Sequence, residues 1–320
     1  MNTFSELYQE ILAAPVITIY GHGQPDGDCY GCAIGLREIL RDNFPEKEVY
    51  ALGAGLSKFE QRLAPMDVVP DEKVAGSLGI LVDVSCLRRC DDARVFTCAK
   101  HIKFDHHNLN LAGEPFAGKM FVDSDCIAAA EILADFAFEM GLKVSRLAAE
   151  ALYVGMLTDS GRFSYYGTTK HTFEVVYRLA QSGIEFRSLI DIAFREEPNV
   201  KAFKRFMAEK AELRGNVTYL HLQQKDYEPY GLSYEQASSY VNAIAGAHPC
   251  HSYVYFCDNP YNDEIRVELR SNQLYPVVGV ATAFGGGGHL FAAGCELKKN
   301  EPEKIFELIE AMNQIKKYNI

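Results

Sequence analysis

Asp105, His106 and His107 stand together directly after the run His101-Ile102-Lys103-Phe104, and their types suit metal chemistry. Two neighbouring imidazoles sit behind a carboxylate, at the end of an expected buried strand. A histidine pair at such a place is equally well explained as satisfied core residues. Partners from elsewhere in the chain decide between the two.

The segment Gly21-His22-Gly23-Gln24-Pro25-Asp26-Gly27-Asp28 follows the β-branched run 16–20 and reads as a strand emptying into a tight polar turn. Pro25 and the glycines let His22, Asp26 and Asp28 converge on one point, with an amphipathic helix expected over 29–40. One imidazole and two carboxylates form a divalent-cation set. An Asp-rich turn in which Asp28 caps the helix accounts for the same residues equally well. Asp83 closes the apolar run 78–82, where a carboxylate is costly unless paired or metal-bound. Asp159 ends the helical stretch 147–158, just before Ser160-Gly161-Arg162-Phe163, and taken alone is an ordinary turn residue. Chance accounts for each segment singly, but poorly for all of them placing acids or imidazoles at strand and helix ends.

These segments resemble, in order, the motifs of the DHH phosphoesterase superfamily: His22-x-x-Pro25-Asp26-Gly27-Asp28, Val82-Asp83, Asp105-His106-His107 and Thr158-Asp159-Ser160-Gly161. Further on, Arg270-Ser271-Asn272, Phe284-Gly285-Gly286-Gly287-Gly288-His289 and Ala292-Ala293-Gly294 resemble the DHH-associated substrate domain of the oligoribonuclease and pAp phosphatase branch. The likeness spans nearly the whole chain.

The resemblance implies two metal sites sharing Asp83 as a bridge, with His22 and Asp26 completing one and Asp28, His106 and Asp159 the other. It also implies catalytic roles for Asp105, holding His106 in the correct tautomer, and for His107, facing the substrate phosphate. Mixed imidazole and carboxylate ligation suits Mn²⁺ better than Mg²⁺, so two manganese ions are expected. Ions roughly 3.5 to 4 Å apart can activate a shared water and polarise phosphoryl oxygens, so phosphoester hydrolysis needs no protein nucleophile. Arg270, Ser271, Gly286, Gly287, Gly288 and His289 form the expected substrate-binding group. Glycines let backbone amides approach an anion, while Arg270 and His289 can donate to a terminal phosphate. Lying between the apolar segments 277–284 and 290–293, the glycine run does not read as a linker. The chain departs from the family pattern at Gln24, at Val84-Ser85, and at Cys29-Tyr30-Gly31-Cys32, which replaces smaller residues. Tyr30 is expected to narrow the approach to the metals. The Cys-x-x-Cys spacing lacks a second pair or a nearby His to complete a zinc set.

The elements that must position these groups alternate as strand and helix from 16 to about 179, the rhythm of a doubly wound, mostly parallel sheet with helices on both faces. Strands are expected at 16–20, 49–52, 78–84, 102–105 and 120–122, and helices at 127–140 and 147–158. The segment 186–213, charged and with Pro198 in its middle, reads as a helical connector. From 217 a second alternation begins: strands at 217–222, 253–257 and 265–270, helices at 234–245, 276–283 and 302–317. The fold class is therefore α/β, with a catalytic metal-binding domain over 1–190, a connector over 191–213 and a smaller α/β substrate-binding domain over 214–320. A cleft between the domains is expected, its closure favouring short chains.

With 48% hydrophobic residues among 320, the chain can bury two cores. No segment approaches the ~20 apolar residues of a membrane span, and the first residues carry no signal pattern. Nine scattered cysteines, an odd number, fit reduced thiols, and a cytoplasmic location is expected. A net charge of −11 disfavours gripping long nucleic acids and suits a short substrate whose few phosphates meet the metals, Arg270 and His289. Nothing in the composition excludes an oligomer. Tyr165, Tyr166, Tyr275 and Phe284 are candidates for stacking a base, while His101, His171, His221, His248 and His251 are assigned to structure or surface.

The leading functional expectation is a Mn²⁺-dependent phosphodiesterase releasing 5′ mononucleotides from RNAs of a few residues and from linear pApA or pGpG, with pAp phosphatase activity beside it. The alternative in the same branch is a cyclic dinucleotide (c-di-AMP) phosphodiesterase. A non-catalytic nucleotide-binding regulator is the reading from another class, and it has no need of a full ligand set.

Overall fold

Val16–Tyr20 (β1), Glu48–Leu52 (β2), Leu78–Val82 (β3), Lys100–Asp105 (β4) and Lys119–Val122 (β5) form a parallel sheet in the order β2-β1-β3-β4-β5. β3 is buried along its length and β1 beyond its first residue, as their near-continuous Val, Ile and Leu composition requires of strands covered on both faces. The strand order reverses between β1 and β3. In a doubly wound sheet ligands collect outside the carboxyl ends of the strands at that switch point. His22 lies two residues beyond β1, Asp83 directly follows β3, and Asp105 ends the neighbouring β4.

Helices Gly27–Asn43 and Arg146–Asp159 cross the sheet in contact with each other, and glycine spacing explains how close they come. Gly27, Gly31 and Gly35 recur at every fourth residue, on one helix face. A Cβ at Gly31 would lie 2.4 Å from the Ala151 carbonyl oxygen, and one at Gly27 would lie 2.3 Å from Thr158 Oγ1. The bare stripe lets the two backbones touch in antiparallel fashion. The start of the first helix, with Asp28, is thereby brought against the end of the second, with Asp159. Ile34, Leu36, Leu133, Phe136, Leu152 and Met156 fill the core beneath.

The computed structural model describes residues 2–107, 116–165, 167–272 and 274–318. They divide into two units, Met1–Arg195 and Glu196–Ile320. In the second, Glu212–Arg214 (β6), Val217–Leu222 (β7), Ser252–Asp258 (β8), Glu264–Ser271 (β9), Gly287–His289 (β10) and Ala292–Lys298 (β11) form a sheet in the order β10-β11-β9-β8-β7-β6. Its pairs are antiparallel except β7 with β8. Helix Glu303–Asn313 turns Ile305, Leu308, Ile309 and Met312 onto Val254, Val267 and Leu269.

The α/β class holds in both units, with local differences, among them the strand β6 at the end of the expected helical connector. The helix expected at 234–245 is a short helix Tyr234–Ser238 followed by a 3-10 turn Val241–Ile244, because Ser238, Ser239 and Tyr240 are weak helix formers. β11 is a strand that the small residues Ala292, Ala293 and Gly294 disguise. Pro198 does not interrupt a helix: it occupies the first turn of Pro198–Lys210, where its missing N–H costs nothing. No helix among the described residues is long and apolar enough to cross a membrane.

Candidate metal centre

The turn after β1 holds its residues through the helix that follows. Asp26, rather than Asp28, is the N-cap of Gly27–Asn43: its Oδ1 accepts the backbone N–H groups of Asp28 and Cys29, both at 3.0 Å. Asp28 is thereby released to face inward, fully buried. Its two oxygens accept the N–H groups of Ala129 at 2.7 Å and Ala130 at 3.0 Å, so it sits on the positive end of helix Ala129–Glu139.

Asp83 lies at the centre. Its side chain is 3% exposed, with Oδ2 3.6 Å from His22 Nε2 and Oδ1 3.5 Å from both His106 Nε2 and His107 Nδ1. The residue takes the left-handed backbone conformation, φ 53°, which costs a non-glycine residue roughly 1–2 kcal/mol and persists where the surroundings demand it. His106 Nε2 reaches Asp159 Oδ2 at 3.3 Å and Asp28 Oδ2 at 4.0 Å, and His22 Nε2 lies 3.9 Å from Asp26 Oδ1. His22, Asp28, Asp83, His106 and Asp159 therefore gather, with Asp83 facing both histidines, while Asp26 stands at the rim beside His22. Exposure rises from none at Asp28 to 55% at Asp26, so the cluster opens to solvent on the side of the β1 turn.

The roles of the Asp105-His106-His107 triplet differ from expectation. Asp105 hydrogen-bonds His107, not His106: its Oδ1 accepts from His107 Nδ1 at 2.8 Å and from the His107 backbone N–H at 3.2 Å. His106 is instead oriented by the Cys126 carbonyl, 3.3 Å from its Nδ1. A carbonyl only accepts, so Nδ1 carries the hydrogen and Nε2 is turned to the carboxylates. Behind Asp105 stands a residue that sequence reasoning missed. Lys103, fully buried, donates to Asp105 Oδ2 at 3.4 Å and to the Ser85 carbonyl at 2.9 Å. Its spacing of two from Asp105, which puts both on one face of β4, was the available signal.

Electrostatics follow from packing so many acids together. Burial opposes the charge on Asp83, but the imidazoles of His106 and His22 beside it outweigh that and hold the carboxyl below its usual range. Burial, and then neighbouring carboxylates, push Asp28 and Asp159 up. Burial also works against charge on His106, yet Asp83, Asp28 and Asp159 together raise it.

The residues fit a divalent metal. Buried Asp83 Oδ1 accepts no hydrogen bond, an expensive condition that a cation relieves. Three sets, Asp28 with His106 and Asp159, Asp83 with His106 and His107, and His22 with Cys29 and Asp83, each bring donor atoms within 4.8 Å of one another. A cavity of about 440 Å³ lined by Phe4, Phe121, Asp135 and His171 lies apart from them.

In the second unit, strand register aligns the expected phosphate-binding residues. Arg270 on β9 pairs with Ala292 on β11, and Ala292 with His289 on β10, so Arg270 and His289 share one face of the sheet. Gly286 is obligatory: a Cβ there would stand 2.0 Å from the Gly294 carbonyl oxygen. Ser271 Oγ is buried and has no hydrogen-bond partner. Two other expectations change. Tyr30 is fully buried, its hydroxyl donating to the Ala64 carbonyl, and does not narrow the approach to the centre. Tyr275 already stacks on His251, ring centroids 4.1 Å apart. Tyr165 is exposed, and Tyr166 lies outside the described residues.

The chain is similar to known proteins along most of its length. Residues 16–156 match the DHH family, N-terminal domain, and residues 216–317 match the DHHA1 domain. The chain is 29% identical over 314 residues to the bifunctional oligoribonuclease and PAP phosphatase NrnA of Bacillus subtilis, covering 96% of this chain and 98% of that protein. It is 32% identical over 305 residues to the probable bifunctional oligoribonuclease and PAP phosphatase NrnA of Streptococcus mutans, covering 94% and 96%. The fold is shared with an exopolyphosphatase-related protein from Bacteroides fragilis, at a TM-score of 0.84 and 21% identity over 97% of this chain and 96% of that one.

Proposed function

The chain belongs to the DHH family, in the branch of oligoribonucleases and PAP phosphatases that carries a DHHA1 domain, and from this we propose a manganese-dependent phosphodiesterase of very short RNA. Its substrates are oligoribonucleotides of a few residues and linear dinucleotides such as pApA and pGpG, cut to 5′ mononucleotides, with removal of the 3′ phosphate of pAp as a second activity. The observation that carries this reading is Asp83, a buried carboxylate whose Oδ1 accepts no hydrogen bond and which lies within 3.6 Å of His22 and 3.5 Å of His106.

In this reading His22, Asp26 and Asp83 hold one ion, and Asp83, Asp28, His106 and Asp159 the other. Bound there, two divalent ions supply an activated water and charge neutralisation at phosphorus. The chain's own groups do the rest. His107, 38% exposed and held by Asp105, faces the substrate phosphate. Arg270, Ser271, His289 and the amides of Gly286, Gly287 and Gly288 offer a phosphate-binding group in the second unit, and a short substrate is preferred to a long one. The net charge of −11 supports the same preference by repelling extended polyanions. Nine unpaired cysteines fit a reducing, cytoplasmic setting.

Chromatography of products from pApA, c-di-AMP, a five-nucleotide RNA and pAp, each with Mn²⁺, tests the proposal. Mononucleotides from the first, third and fourth are expected. Consumption of c-di-AMP alone would replace the proposal with the cyclic dinucleotide reading, and consumption of none would leave a nucleotide-binding regulator.

A further inference from the structure

We infer that Cys29 is a thiolate ligand of the ion held by His22 and Asp83, which gives this half of the centre a preference for thiophilic divalent ions that the His106 half lacks. The inference rests on the metal-centre reading above and adds a donor and a metal class to it.

Cys29 occupies the first turn of Gly27–Asn43 and is 2% exposed. A buried cysteine is ordinarily a small hydrophobe set among apolar side chains. This one has polar company. The His22 backbone N–H donates to its sulfur at 3.3 Å, and a His22 ring nitrogen, the sulfur and an Asp83 oxygen lie within 4.8 Å of one another. The chain makes room for the sulfur on the strand side too, since a Cβ at Gly21 would stand 2.1 Å from Sγ. Asp83, 3% exposed, turns its Oδ2 to this set, 3.6 Å from His22 Nε2.

Asp26 does not displace the thiol from this role. It lies 3.9 Å from His22 through the same Oδ1 that caps the helix. Without an ion, burial and the charge of Asp83 keep Cys29 protonated. A bound cation reverses that balance, because a coordinating thiol gives up its proton to solvent as the metal–sulfur bond forms. Sulfur beside imidazole selects Zn²⁺, Co²⁺ and Cd²⁺ over harder ions, whereas Asp28, His106 and Asp159 offer only nitrogen and oxygen. Cys32, one helical turn further on, points its sulfur at Asp28 Oδ1 at 3.5 Å and serves as the control.

The test uses the full chain, stripped of metal, reduced and titrated with Co²⁺ while its absorption is followed. Visible ligand-field bands together with a near-ultraviolet sulfur-to-cobalt band are expected. Cys29→Ser should lose the ultraviolet band and keep the visible bands, and Cys32→Ser should keep both. Visible bands without the sulfur band, or a sulfur band that survives Cys29→Ser, would overturn the role of Cys29 while leaving the metal centre intact. Saturable cobalt absorption absent altogether would overturn the metal-centre reading and this inference with it. Cadmium NMR of the unmodified chain gives the same answer without a variant. One strongly deshielded, thiolate-type resonance is expected, and nitrogen- and oxygen-type resonances alone would refute it.

Discussion

The Asp105 carboxylate grips His107 twice, through ring Nδ1 at 2.8 Å and through the backbone N–H at 3.2 Å. Such a grip fixes both the tautomer and the direction of the ring. Asp105→Asn keeps the size of the side chain but removes the charge that favours a donating Nδ1. Groups that orient a reacting side chain from behind are worth about 10- to 100-fold. We expect kcat on pApA to fall by that order with the content of bound metal unchanged, as steady-state kinetics and metal analysis would show. A loss of metal of equal size would mean that Asp105 supports the ligands instead.

Behind that grip, Lys103 and Asp105 form an ion pair in which both side chains are fully buried. Removing one partner of such a pair strands the other charge away from water, at about 3–5 kcal/mol. Lys103→Met should therefore lower the denaturant midpoint of the unit Met1–Arg195, and the double change with Asp105→Asn should recover part of the loss. Additive losses would show that the two residues are not coupled.

Asp83 and His289 separate the two halves of the proposed function. Asp83→Ala should abolish turnover and reduce bound metal, because the same carboxylate faces both His22 and His106. His289→Ala should raise KM and leave the metals in place. Undiminished turnover in the Asp83 variant would remove the two-ion proposal outright.

Gly286 tests the second unit by geometry alone. With the Gly294 carbonyl oxygen 2.0 Å from where a Cβ would stand, Gly286→Ala must push β11 away from the glycine run. Substrate retention should weaken while metal content stays constant. Wild-type KM in this variant would show that the run does not shape the phosphate site.

The candidate ligand residues stand out in the sequence because strand ends do. A carboxylate closing a run such as 78–82 has few benign explanations, and a sheet with the order β2-β1-β3-β4-β5 gathers those ends at one place. What the sequence concealed was partnership across the fold. Asp26 and Asp28 look interchangeable in a turn, and only the packing of helix Ala129–Glu139 shows that Asp28 faces its N-terminus while Asp26 caps its own helix. Asp105 precedes His106 in the chain but reaches past it to His107, since alternate residues of an extended chain share a side. β11 was hidden because Ala292, Ala293 and Gly294 carry too little side chain to betray a strand, and backbone pairing with β9 holds it in place.

The charge balance of the centre makes metal binding a proton-releasing event. The charge of Asp83 and its neighbouring carboxylates raises His106, and burial with mutual repulsion raises Asp28 and Asp159, so these three side chains share protons that ordinary carboxylates would have lost. Asp83 is shifted the other way and has no proton to give near neutrality. An ion taking these side chains as ligands must expel the protons that His106, Asp28 and Asp159 share, so lowering the pH favours the protons and weakens the ion. Affinity for Mn²⁺ should then rise with pH through the neutral range, by about tenfold per unit for each proton displaced. Titration calorimetry in buffers of different ionisation enthalpy counts those protons directly. We expect at least one released per metal-binding event, and an enthalpy independent of the buffer would show that the cluster is already deprotonated before the ion arrives.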